Sequence, residues 1–82
     1  MNILLILEES SKVGEFLKKR GLLEQYKKEK KKILSGQHSS LKLRQPKNKG
    51  MYYFRINKQF RAYGFMKENT LVVFKIDNHQ NG

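Results

Sequence analysis

The chain has no cysteine. Disulfides and thiolate metal sites are therefore excluded, which suits a cytoplasmic protein. It has no long apolar stretch either. The longest run, Ile3 to Leu7, is five residues, against about 20 needed to cross a bilayer. No charged segment precedes that run and no small-residue cleavage site follows it, so it predicts a buried strand rather than a signal peptide. Acidic side chains are scarce: seven Asp and Glu face eighteen Lys and Arg, for a net charge of +11. Such a chain is drawn to polyanions, of which phosphate backbones are the commonest in a cell. An acidic protein partner fits the same charge. Apolar residues make up only 38% of the 82 positions. That length predicts one domain, residues 1–82, with a thin core and a stability that a bound partner would raise.

Residues 2–8 read as the first strand. Ser10 and Ser11 can cap a helix, because a serine hydroxyl accepts from an unpaired helix amide. Val13, Phe16 and Leu17 follow on one helical face, and Gly21 ends the helix. A second helix is expected from Leu22 to Leu34, with Leu22, Tyr26, Ile33 and Leu34 as its apolar stripe. Lys27, Lys28, Lys30, Lys31 and Lys32 crowd its other faces, and Gly36 stops it. The period then changes to two. Leu41–Arg44 is a short strand, Pro46–Gly50 a loop, and Tyr52, Phe54 and Ile56 alternate with Tyr53, Arg55 and Asn57. Phe60–Phe65 is the next strand and Lys67–Asn69 the next turn. Leu71–Ile76, almost continuously apolar, is expected at the centre of the sheet, buried on much of both faces. The predicted class is α+β: strand-helix-helix followed by an antiparallel meander (β-α-α-β-β-β), with the helices packed on one sheet face.

The helices need an apolar sheet face, which Tyr52, Phe54, Ile56, Val72, Phe74 and Ile76 would supply. Alternation then sends Tyr53, Arg55 and Asn57 to the opposite face with Lys75, Asp77 and His79, and Arg61 joins them if Phe60 is buried. Arginines there could neutralise charge that grows on a phosphodiester in its transition state. A histidine could move a proton near neutral pH. Strand arginines are equally explained by cross-strand contacts, and a lone histidine near a chain end by simple exposure. Lys42, Arg44, Lys47 and Lys49 flank this face as candidate phosphate ligands, and the helical lysines 27–32 can touch phosphates without sequence preference. Tyr53 or Tyr63 could stack on a base. Nothing is asked of His38.

Taken in order, Leu41-Lys42-Leu43-Arg44, Gly50-Met51-Tyr52-Tyr53-Phe54-Arg55-Ile56-Asn57, Phe60-Arg61-Ala62-Tyr63-Gly64-Phe65, Leu71 to Ile76 and His79 resemble the RelE/ParE superfamily of bacterial toxins, over about residues 41–80. The first half agrees in its strand-helix-helix order. The resemblance implies a compact RNase-like α+β fold. It implies the toxin component of a type II toxin–antitoxin system: a ribosome-dependent mRNA endonuclease, without a metal or other cofactor, in which the RNA 2′-hydroxyl attacks the neighbouring phosphate. The implied partners are a cognate antitoxin, the ribosome and mRNA, with no membrane. Carried over by position, Arg61 would stabilise the phosphorane-like transition state, Arg55 would be a basic ligand beside it, and His79 would match the histidine acid of the YoeB-like branch. Lys42, Arg44, Lys47, Lys49, Tyr53 and Lys75 would line the RNA. In that branch a tyrosine follows the histidine and a glutamate precedes the second strand, where this sequence has Gln80 and Ser39-Ser40. No general base is assigned by the resemblance, and Asp77 has the parity to be considered. ParE-like relatives inhibit DNA gyrase without cutting RNA, and a member that has lost toxicity would act as a binding protein. Both stay open as alternatives.

Overall fold

In the computed structural model, which describes residues 6–37, 42–43 and 51–78, a short strand β1 (Ile6–Glu9) leads directly into helix α1 (Ser11–Lys19). Ser10 is the joint. Its Oγ accepts from the Val13 amide at 3.2 Å, which satisfies one of the amides that a helix start leaves unpaired. Lys18 and Lys19 sit in the last turn, where positive charge complements the helix dipole. Gly21, at φ 67°, then reverses the chain. Its amide donates to the Lys18 carbonyl at 3.2 Å, and the Leu22 amide donates to the Leu17 carbonyl at 2.8 Å. This pair of bonds closes a helix end only when the turning residue is left-handed, the conformation glycine adopts most cheaply. Helix α2 (Leu23–Leu34) ends the same way at Gly36, φ 104°, through bonds to Ile33 and Lys32.

Four strands follow: β2 (Lys42–Leu43), β3 (Met51–Arg55), β4 (Phe60–Lys67) and β5 (Thr70–Asn78). They form the expected antiparallel meander, with β2 as its short first member. The five-stranded sheet runs β1-β5-β4-β3-β2, and β1 joins the last strand in parallel. Both helices lie on one face. The α+β class, the order of elements and the one-sided helical layer are those expected. No helix among the described residues is long and apolar enough to cross a membrane.

Leu17, Tyr26 and Ile33 from the helices close on Phe54, Ile56, Phe60, Ala62, Leu71 and Val73 from the sheet. Each large side chain fully buried there contributes about 1.5–3 kcal/mol. Tyr52 and Ile76 pack against this core from its margin. β5 departs from the expected pattern. Leu71 and Val73 point to the helices, whereas Val72 and Phe74 are 39% and 42% exposed on the other side. β5 is interior in the sheet, between β1 and β4, but it is not buried on both faces. Its parity changes at a β-bulge. The β4–β5 register runs Phe65 with Val72 and Gly64 with Val73, then skips Phe74 to pair Tyr63 with Lys75. One extra residue exchanges the faces of all that follow. One further expectation fails locally. Leu34 is 38% exposed at the end of α2, one position past the inward-facing Ile33. Asn57 turns the chain between β3 and β4: its Oδ1 accepts from the Gln59 and Phe60 amides at 2.8 and 2.9 Å, and its Nδ2 donates to Gln25 Oε1 on α2.

Glu9, at the end of β1, tilts toward α2. Its Oε1 accepts from the Tyr26 hydroxyl at 2.9 Å and from Lys30 Nζ at 3.2 Å. Burial, then the hydrogen bond to Glu9 and its charge, push the Tyr26 phenol well above its ordinary value of 10.0. In the unfolded chain Tyr26 ionises near pH 10, and in the folded chain it does not. The folded state therefore holds the extra proton above that pH, and stability falls as pH rises. The slope from this group is about 1.4 kcal/mol per pH unit. Tyr26→Phe is expected to cost about 1–2 kcal/mol at pH 7 through the lost charge-assisted bond, and to flatten the decline above pH 10. Urea titrations from pH 7 to 11 measure both. Parallel alkaline declines in the two proteins would contradict the assignment.

Candidate nucleic-acid interface

The sheet face away from the helices is covered by no described element, and its residues fall into rows across the strands. At the hairpin end, Arg61 of β4 lies directly opposite Arg55 of β3 and Asp77 of β5. The next row is Tyr63, with Tyr53 on one side and Lys75 on the other. Past the bulge come Phe65, Val72 and Met51, with Glu8 beyond Val72. Lys67, Thr70 and Ile6 form the last row. Simple alternation puts Arg55, Tyr53, Arg61 and Phe65 here. Lys75 and Asp77 join them because of the bulge.

The first two rows are knitted by rings and cations. The Arg61 guanidinium sits 5.0 Å from the centre of the Tyr53 ring. Tyr53 stacks on Tyr63, centroids 5.5 Å apart. Lys75 Nζ lies 5.7 Å from the Tyr63 centre. Each cation on a ring contributes about 0.5–1 kcal/mol at an exposed site. The stack leaves Tyr63 only 5% exposed, so the expectation that it could receive a base is corrected. Tyr53 is half-buried with Arg61 on its ring.

The arginines are the chemically distinctive pair. They face each other across neighbouring strands. Arg61 is half-buried, and its Nε is buried with no hydrogen-bond partner among the described residues. Asp77 is opposite Arg61, yet the ion pairs among the described residues are Lys30 with Glu9 and Lys32 with Glu29. A buried, unpartnered donor on a cation normally costs stability, and so does a like charge directly across a strand pair. An anion seated between the two guanidinium groups would relieve both, and a phosphate matches the arginine fork. Arg55→Thr is accordingly expected to raise stability by about 0.5 kcal/mol at low ionic strength. The gain should vanish near 1 M salt, where the repulsion is screened. Urea unfolding at both salt concentrations tests it, and a loss of stability at low salt would count against the repulsion.

Lys42 pairs through its backbone with Tyr53, which brings β2 alongside the tyrosine row. Arg44, Lys47, Lys49, His79 and His38 lie outside the described residues, as do Ser39, Ser40, Gln80 and the first residues of the expected opening strand. The helical lysines form a separate basic surface on the far side of the molecule. There Lys27, Lys28 and Lys31 line a shallow groove with Glu24 and Gln25, while Lys30 is tied to Glu9. Phe65 and Phe74 were not anticipated as surface residues. The parity of Arg61, Tyr63 and Phe65 on one strand was the available signal for Phe65, and nothing in the sequence announced the bulge that separates the face of Phe74 from that of Ile76. Among the described residues no cluster of His, Asp or Glu could hold a metal ion. No family model matches this chain, and neither a curated protein nor a solved structure matches it significantly.

Proposed function

We propose that this protein is the toxin of a type II toxin–antitoxin pair of the RelE/ParE kind, a cytoplasmic endonuclease that cuts mRNA on the ribosome. The observation that carries the proposal is the opposed Arg55–Arg61 pair on a sheet face that no described element covers, with the buried Arg61 Nε lacking an acceptor among the described residues. The ordered motifs of residues 41–80 and the strand-helix-helix-meander order support it. In the proposed reaction the RNA 2′-oxygen attacks the adjacent phosphorus and the bond to the 5′-oxygen breaks. A 2′,3′-cyclic phosphate and a 5′-hydroxyl result. Arg61 donates to the non-bridging oxygens as their charge grows, and Arg55 holds the same phosphate from the facing strand. Asp77, directly across from Arg61, would take the 2′-proton. His79 would supply the proton to the departing 5′-oxygen. The cognate antitoxin would carry acidic residues that steer it to this basic chain.

Primer extension on an mRNA in a reconstituted translation system tests the proposal. Discrete cuts within codons are expected with ribosomes and none without them. Folded protein that produces no ribosome-dependent cut would overturn it. One observation favours the non-enzymatic alternative, a gyrase-binding or decayed toxin: Asp77 is the only acid–base side chain in the arginine row among the described residues. Filamentation and a DNA-damage response on induction, in place of arrested protein synthesis, would select the gyrase reading.

A further inference from the structure

Phe65 and Phe74 lie on the open face with their rings stacked, centroids 5.1 Å apart and planes within 13° of parallel. They are 46% and 42% exposed. A small protein has little reason to keep two adjacent phenyl rings in water. Ile6 and Val72 extend the apolar patch toward β1. Phe74 follows Val72 to this face by alternation, and the bulge leaves it out of the register with β4. At the same place β5 loses its other neighbour, since the β1–β5 pairing ends at Glu9 with Val73. A groove of about 170 Å³ opens beside Phe74, lined by Lys12 and Phe16 of α1 and by Lys75. The patch thus has rings at its centre and lysines on two sides: Lys12 and Lys75 by the groove, Lys67 beyond Phe65. Glu8, across Val72, marks the side a phosphate would avoid.

We infer that the Phe65–Phe74 pair is a base-stacking subsite for single-stranded RNA, continuous with the phosphate site at Arg55 and Arg61. Flat aromatic faces flanked by cations suit unpaired bases of any identity, with affinity from stacking and register from phosphate contacts. The net charge of +11 favours this occupant over a second copy of the chain. Phe65 lies four steps beyond Arg61 in β4, about 13 Å along the strand. A short extended RNA therefore reaches from the stack to the arginines, passing the Tyr63–Lys75 row. In that middle row Tyr63 is buried and Tyr53 carries Arg61 on its ring, so the more exposed Phe65 and Phe74 offer the larger stacking surface among the described residues. This inference rests on the proposed RNA function, and it adds a subsite that works before any ribosome is present.

The test uses a labelled 2′-O-methyl oligoadenylate, which lacks the attacking hydroxyl, with an abasic backbone of equal length and a duplex as comparisons. Affinity is followed by fluorescence anisotropy across a salt series. Phe65→Leu and Phe74→Leu keep the apolar bulk and remove the ring. Each is expected to weaken oligoadenylate binding about tenfold without changing the slope of log affinity against log salt. Lys75→Ala should reduce that slope by about 0.7. The abasic strand should bind wild type and both leucine variants alike. Wild-type affinity in the leucine variants, or equal binding of abasic and base-bearing strands, would overturn the inference. So would leucine variants that bind RNA normally but lose an acidic co-expressed protein, which would make the patch a protein interface. The RNase proposal stands or falls separately, on ribosome-dependent cleavage: leucine variants that cut mRNA yet bind oligoadenylate like wild type remove the subsite and keep the enzyme.

Discussion

Arg61→Ala is expected to lower ribosome-dependent cleavage by at least about 100-fold, the usual cost of removing one donor aimed at charge that grows in a transition state. Its effect on stability should stay within about 1 kcal/mol. The Arg61 guanidinium lies over the face of Tyr53, a contact worth about 0.5–1 kcal/mol. Against that, the substitution removes a buried Nε without a partner and a positive charge opposite Arg55. An arginine kept for structure would give the reverse balance, a large loss of stability with activity following the folded fraction. Arg61→Lys should recover only part of the rate, because an ammonium keeps the charge and loses the planar fork. Single-turnover primer extension beside urea unfolding separates the two effects. Cleavage at the wild-type rate by Arg61→Ala would remove this residue from the chemistry.

Gly64→Ala should be the most damaging single methyl group in the sheet. A Cβ at that position would stand 2.7 Å from the Val72 carbonyl oxygen, 3.0 Å from its carbon and 3.1 Å from Leu71 Cδ1. Two of those atoms are backbone of the neighbouring strand and cannot rotate away. Gly64 pairs with Val73 next to the register shift, so the approach is the one that lets β5 close up after ejecting Phe74. Overpacking of this kind costs about 2–3 kcal/mol, a large share of the roughly 5 kcal/mol that holds a small domain together. The midpoint of thermal unfolding should drop by roughly 10–20 °C. A drop of only a degree or two would mean that the bulge relaxes freely, and that the exposed position of Phe74 is not enforced.

The sequence made most of the fold legible because local signals agreed. Ser10 before an apolar stripe, glycines after each helix and clean alternation through Tyr52–Ile56 all pointed one way. It failed at β5 because Leu71–Ile76 has almost no polar residue to reveal which face each side chain takes. A bulge leaves no compositional mark when the extra residue is another phenylalanine. The error reversed Val72 and Phe74 but spared Ile76, Lys75 and Asp77, since the bulge restored the expected parity beyond it. The arginine pair followed from alternation alone. The loss of Tyr63 as a free ring did not, because that depends on Tyr53 and Lys75 meeting over it from two different strands. The parallel pairing of β1 with β5 was equally hidden, since a short apolar strand carries no record of its neighbour.

That pairing sets the order in which the molecule can be made. Leu7 is placed against Leu71, so during synthesis β1 waits for a partner that is made only after both helices and three further strands. Contacts so distant in sequence are slow to form, because the loop between them must close before they return any energy. Elongation at about 5–20 residues per second leaves the interior strand tethered at the ribosome for seconds after both helices are out. The hairpin that bears Arg55 and Arg61 is backed on its β4 side by β5, so the arginine face is finished only once β5 is in place. Whatever activity that face carries is withheld from a nascent chain in which β5 has not yet been made.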